Sequence, residues 1–76
     1  MPEFRTRLIN SEFDITDHGQ EQESLDIASK AAILTAIDIA KGLYANGETN
    51  PRIEILISES EEVVARHVVT VCVGDD

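Results

Sequence analysis

The chain of 76 residues has little of the chemistry that stabilises very small proteins. It contains one cysteine, Cys72, so no disulfide can form within the chain. The other soft metal ligands are two histidines, His18 and His67, whereas a structural zinc site needs about four close nitrogen or sulfur ligands. Domains of this length bury only about 60% of the surface that the unfolded chain exposes. These absences leave self-association as the expected source of additional stability.

Basic residues are also scarce, with 6 Lys and Arg against 15 Asp and Glu and a net charge of −9. An acidic surface repels phosphate backbones, so the composition predicts that the protein does not bind nucleic acid. The charge either maintains solubility or forms an acidic face for a basic protein partner. Solubility is the preferred interpretation, and the absence of Lys and Arg from residues 12–26 is the one local feature that supports a partner face. The candidate residues of this acidic partner face are Glu12, Asp14, Asp17, Glu21 and Glu23.

Long apolar runs are absent as well. No stretch approaches the roughly 18 apolar residues of a membrane span, and "MPEFRTRL" lacks the apolar centre of a signal peptide. A single thiol is typical of a reducing compartment. We therefore expect a cytoplasmic protein that makes no membrane contact.

Catalytic motifs are missing from the sequence. It has no GxGxxG, GxxxxGK[ST] or GxSxG run. Cys72 follows His67 by five residues, an odd offset that places the two on opposite faces of a strand, so Cys72 is interpreted as a core residue. "DITDHGQEQESL" places Leu25 where a calcium loop needs its closing Glu, which excludes an EF-hand and leaves only weak divalent-cation binding open. We predict no catalytic residues, no cofactor and no metal site; an enzyme would need a site assembled across subunits.

Period-two alternation predicts a first β-hairpin. In "EFRTRLIN" and "EFDIT" apolar side chains recur at alternate positions, and Asn10 and Ser11 between them are typical of a turn. Gly19 can adopt the positive φ of the sharp turn that ends the hairpin. The predicted inner face consists of Phe4, Leu8, Phe13 and Ile15.

A long helix is predicted from Ser24 to Gly47. Ser24 is a favourable N-cap, Asp26 interacts with the helix dipole, and Gly47 suits a left-handed C-cap. A spacing of about 100° per residue places one apolar stripe toward the sheet. That stripe consists of Leu25, Ala28, Ala32, Ala36, Ile39, Ala40 and Leu43.

Two further strands complete the predicted fold. "RIEILIS" alternates, residues 59–62 form a polar connection, and "VVARHVVTVCV" is apolar on both faces of its second half. The last run is typical of a central strand or of one that a partner buries. We therefore predict a single α+β domain over residues 1–76, with two β-hairpins forming a four-stranded, mainly antiparallel sheet and one long helix on one face (ββαββ).

The helix carries apolar residues outside its core stripe. A helix that covers one sheet needs a single apolar stripe, and contiguous exposed apolar surface usually marks an interface. The alternatives are that these residues are scattered and exposed, or that the chain's own termini cover them. The predicted self-association residues are Ile27, Leu34, Ile37 and Tyr44, in a homodimer or higher homo-oligomer.

The order of these elements resembles a family of short bacterial single-domain proteins grouped as a domain of unknown function. Asp17 and Gly19 match its glycine turn, Leu25 and Ala28 match the start of its helix, and "VVTVCV" matches its last strand. The turn here is one residue shorter than D-x-x-G, and residues 59–62 lack a glycine. The resemblance implies this architecture and brings no catalytic residues.

In shape, the pattern is also similar to acidic antitoxins that bind basic toxins. That likeness implies an alternative function, an acidic inhibitor or antitoxin-like module for a basic protein. The first hypothesis is a non-enzymatic, self-associating module for protein interaction or regulation.

Overall fold

The computed structural model describes residues 2–17 and 19–74, which form one helix and five strands. The strands are β1 (Glu3–Ile9), β2 (Asp14–Thr16), β3 (Gln20–Glu21), β4 (Arg52–Glu59) and β5 (Glu62–Thr70), and the helix is α1 (Leu25–Ala45). The predicted α+β class, with one helix and an antiparallel sheet, is confirmed. The predicted four strands and ββαββ order are wrong in detail, because the chain forms the additional strand β3 before α1. His18 lies outside the described residues.

The sheet is antiparallel throughout, in the order β2-β1-β4-β5, and β3 pairs with the start of β1. Leu8 faces Ile15 on β2 and Ile55 on β4, while Ile55 faces His67 on β5. The interpretation of the last run as a central strand is therefore wrong for the single chain. Among the described residues β5 pairs with β4 alone, so it forms an edge of the sheet.

The core lies between α1 and one face of the sheet, called the inner face. Ile53, Ile55 and Ile57 on β4 are fully buried, because their alternation places all three under the helix. Each such side chain contributes about 1.5–3 kcal/mol by leaving water. The predicted core stripe of α1 is confirmed: its four alanines are buried, and Leu25, Ile39 and Leu43 pack against the core. The small alanine side chains allow the helix to approach the sheet closely.

Both predicted ends of α1 are confirmed. Ser24 Oγ accepts a hydrogen bond from the Ile27 backbone N–H (3.2 Å), which satisfies one of the free donors of the first turn. Asn46 is the C-cap, and Gly47 follows with a φ of 113°. This left-handed conformation turns the chain away from the helix axis, and glycine adopts it without a Cβ clash.

The first hairpin has the predicted inner face, although Ile15 is not buried there. Phe4 and Leu8 are buried and Phe13 packs against the core, but Ile15 is 51% exposed. Ile15 shares the inner face with Leu8, yet α1 packs over β4, β5 and β1 and does not reach β2. The predicted position of Ile15 on the inner face is therefore confirmed, but its side chain stays exposed because α1 does not cover β2.

The turn between β4 and β5 is much tighter than the predicted polar connection. Glu59 pairs with Glu62, so only Ser60 and Glu61 connect the strands. Their φ angles are 52° and 67°, both in the left-handed region that a type I′ hairpin turn requires. The register then shifts near Ile57 and Ser58, which indicates a β-bulge beside the turn.

Candidate interaction surfaces

The four residues predicted to mediate self-association lie on α1, away from the sheet. Ile27, Leu34, Ile37 and Tyr44, called the α1 stripe from here on, are 44%, 57%, 40% and 46% exposed. Ile27 and Leu34 are seven residues apart, as are Ile37 and Tyr44, so each pair lies two helical turns apart on nearly the same line. The stripe thus consists of two lines of apolar side chains that adjoin at Leu34 and Ile37, which are three residues apart.

Two members of the α1 stripe, Ile37 and Tyr44, lie on the β5 side of the helix. On that side a hydrogen bond links Ser29 Oγ to His67 Nε2 of β5 (3.1 Å). Ile33 and Ile37 follow Ser29 at steps of four residues and therefore lie on the same side of the helix. Ile37 and Tyr44 are therefore the members of the stripe nearest to the β5 edge, whereas Ile27 and Leu34 lie on the side of the helix opposite the buried alanines.

Three valines of β5 are among the exposed large apolar residues. Val63, Val64 and Val68 are 43%, 38% and 51% exposed. Val68 faces Glu54 of β4 and lies on the outer face of the sheet, opposite α1. The predicted two-sided apolar character of this strand is therefore present, although no element of the described chain covers its outer side.

The acidic residues predicted to form one partner face have different environments. Asp14 lies on β2, where its carboxylate accepts hydrogen bonds from the Arg7 guanidinium, including Nε to Oδ1 at 2.8 Å. This hydrogen bond lowers the pKa of Asp14. Desolvation opposes the shift, and the positive charge of Arg7 adds to it. Asp17 Oδ1 accepts hydrogen bonds from the backbone N–H groups of Thr6 (3.1 Å) and Gly19 (3.0 Å). Both carboxylates thus stabilise the hairpin.

The remaining three residues of the acidic face are more exposed. Glu12 lies in the turn between β1 and β2, Glu21 on β3 and Glu23 just before α1, and all three are exposed. They have no ion-pair partner within the described residues. The structure therefore leaves Glu12, Glu21 and Glu23 as the part of the predicted face that is free for a basic partner.

A groove of about 350 Å³ lies between α1 and the inner face of β1 and β2. It exists because the helix leaves this part of the sheet uncovered. Phe4, Leu8 and Ile15 line it from the sheet, and Ala28 and Ala32 line it from the helix. Asp17 also lines the groove, but its Oδ1 atom is already engaged by two backbone donors. Thr6, Gln20, Gln22 and Thr35 line it as well, so the groove offers both apolar and polar contacts.

The outer face of the sheet carries every arginine of the chain, a feature that the sequence reasoning missed. Arg5 and Arg7 on β1, Arg52 on β4 and Arg66 on β5 share the parity that points away from α1. Arg7 pairs with Asp14, and Arg52 pairs with Glu54 (2.7 Å), whereas Arg5 and Arg66 have no ion pair among the described residues. The signal was available for Arg5, Arg7 and Arg52, which alternate with the inward-facing apolar residues of β1 and β4, but not for Arg66, which shares its face with Val68.

His67 and Cys72, the two residues considered as a nucleophile–base pair, have different environments. His67 is half-buried and bonded to Ser29, consistent with a structural role, whereas Cys72 lies beyond β5 and is exposed. The interpretation of Cys72 as a core residue is therefore wrong, because β5 ends at Thr70. Within residues 2–17 and 19–74 no three His, Cys, Asp or Glu side chains are grouped to hold a metal ion. In the same residues, no helix combines the length and apolar character needed to cross a membrane.

No family model matches the chain, and comparisons with curated proteins and with solved structures also found no match. The resemblance to the short bacterial family therefore stays a prediction.

Proposed function

We propose that this protein is a non-enzymatic, self-associating module for protein interaction or regulation, and that its α1 stripe packs against a second copy. The observation that carries the proposal is the exposure of four large apolar side chains along one side of a 21-residue helix. A helix covering a single sheet needs only its inner stripe to be apolar. The outer stripe is explained if it is buried on association.

The energy of this contact indicates how strong it can be. Burying the exposed half of such a side chain contributes about 1 kcal/mol, roughly half the value for full burial. Association costs about 4–15 kcal/mol in lost freedom of motion. The α1 stripe of two copies therefore roughly balances this cost, and a stable dimer requires additional contacts.

The test is the solution mass by light scattering after size exclusion, at low and high salt. We expect about twice the chain mass of 8.4 kDa at both salt concentrations, because apolar burial does not depend on charge screening. Leu34→Asp should yield the monomer mass. The matched control is Thr35→Asp, which adds the same charge at an exposed position on the other side of α1. A monomeric wild-type protein at high concentration would contradict the proposal.

The second candidate function is an acidic module for a basic protein partner. It is supported by the net charge of −9 and by the exposed positions of Glu12, Glu21 and Glu23. Capture of a basic partner would weaken steeply with salt, since it depends on screened charges. Replacing these three glutamates by glutamine should abolish that capture and leave the solution mass unchanged.

A further inference from the structure

The exposed edge of β5 has backbone groups that are free to pair with another strand. The Val71 N–H donates to the Pro51 carbonyl (3.0 Å), so the amide of Val71 points toward the β4 side. Backbone groups of alternate residues in an antiparallel strand point to opposite sides. The N–H and C=O groups of Arg66, Val68 and Thr70 therefore point away from β4, toward the open edge.

This edge has few of the features that prevent strands from pairing. Natural edge strands are often short, or carry proline and lysine, or are twisted by bulges. β5 has nine residues, no proline and no lysine, and its bulge lies at its beginning. From Ala65 to Thr70 the edge is regular.

The charge of this side favours a second copy of a strongly acidic chain. Arg66 is the one charged residue between positions 63 and 74. Beside the edge, α1 carries Lys30 and Lys41 as well as Asp26 and Asp38, and Asp38 Oδ1 lies 3.8 Å from Lys41 Nζ. The edge itself contains no acidic residue from position 63 to 74 in a chain with a net charge of −9, which limits the repulsion between two copies there.

We infer that β5 pairs antiparallel with β5 of a second copy, which joins the two sheets into one. A two-fold axis perpendicular to the sheet places both helices on the same face of the joined sheet. The β5 side of each helix, including Ile37 and Tyr44, then faces its counterpart. This inference rests on the proposed self-association and supplies the additional contacts that the α1 stripe requires.

The register of the two β5 strands is restricted by Arg66. Like charges directly opposite each other destabilise a strand pair. Registers that place Arg66 opposite Val68 or Thr70 of the other copy separate the two guanidinium groups and keep the outward backbone groups paired. The joined sheet therefore forms with Arg66 displaced from the two-fold axis.

The experiment compares Val68→Pro with Val68→Thr by light scattering. Proline removes the N–H of Val68, which points to the open edge, so the ladder between β4 and β5 keeps its hydrogen bonds. Threonine keeps the N–H and the β-branched shape. We expect a dimer for the wild type and for Val68→Thr, and a monomer for Val68→Pro, with unchanged circular dichroism for both variants.

Hydrogen exchange of the wild-type protein provides a second measurement that needs no variant. The amides of Arg66, Val68 and Thr70 should exchange at least about tenfold more slowly at dimeric than at monomeric concentrations. A dimeric Val68→Pro, or rapid exchange of these amides in the dimer, would overturn the edge pairing. If the edge pairing were overturned but Leu34→Asp were monomeric, the proposed self-association through α1 would stand without the edge pairing. A wild-type monomer would overturn both.

Discussion

The turn between β4 and β5 allows a quantitative test of the backbone geometry. Glu61 has a φ of 67°, and the left-handed region costs an L-residue about 1–2 kcal/mol. Glu61→Gly removes this cost but loses about 0.5–1 kcal/mol, because glycine is more flexible in the unfolded chain. The expected net gain in the free energy of unfolding is about 0.5–1 kcal/mol. For a domain of this size it raises Tm by about 2–8 °C.

The assay is urea unfolding followed by circular dichroism. The midpoint should rise while the slope of the transition stays the same, as expected for a change in stability alone. All variants must be compared at one protein concentration, because self-association stabilises the folded state by mass action. Glu61→Gln is the matched control, since it removes the same charge and keeps the cost of the left-handed backbone.

Glu61→Gly should therefore be more stable than Glu61→Gln. Gly47 gives the reverse comparison: it has a φ of 113°, and a Cβ there would meet no atom within 4 Å. Gly47→Ala should accordingly lower the stability by about 1 kcal/mol through backbone strain alone. The reasoning is refuted if Glu61→Gly is no more stable than Glu61→Gln, since the turn would then carry no conformational cost.

Three further predictions concern the core and one ion pair. Ile55→Ala should lower the free energy of unfolding by about 2–5 kcal/mol in urea titrations, because Ile55 is fully buried. Ala36→Leu should lower the free energy of unfolding by about 1–3 kcal/mol, because the larger side chain overpacks the helix–sheet contact. The control Ala31→Leu, at an exposed position, should change it by less than about 0.5 kcal/mol. Equal effects of the two variants would contradict the close approach of α1 to the sheet. Arg7 lowers the pKa of the exposed Asp14, so this pair stabilises the fold above the unfolded pKa of about 3.9 and the contribution is lost as pH falls through the folded pKa. In an NMR titration Arg7→Gln should return the Asp14 pKa toward its ordinary value, and an unchanged pKa would contradict the pairing.

Local features of the fold could be predicted from the sequence because they depend on neighbouring residues. The ends of α1 follow from Ser24 and Gly47, and β4 follows from three isoleucines at alternate positions. β3 could not be predicted, since Gln20 and Glu21 are polar and too few to show a period. Its pairing with β1 depends on the path of the chain after the first hairpin.

The position of each strand in the sheet depends on contacts distant in sequence. The apolar pattern of β5 is the same for a central strand and for an edge strand that a partner buries. The pairing of β5 with β4 on one side distinguishes the two. The α1 stripe could be predicted from helical periodicity. The position of Ile37 and Tyr44 on the β5 side could not, because that depends on the contact between Ser29 and His67, which are 38 residues apart.

The placement of all three fully buried isoleucines on β4 has a consequence for how the molecule opens. β4 is paired on both sides, whereas β2 and β3 contribute only three and two residues to the sheet. Local opening requires least free energy where few buried contacts are lost, so β2 and β3 open first and the unit of α1, β1, β4 and β5 opens last. The α1 stripe and the β5 edge both belong to this last unit. Fluctuations of β2 and β3 therefore leave the proposed association surface intact.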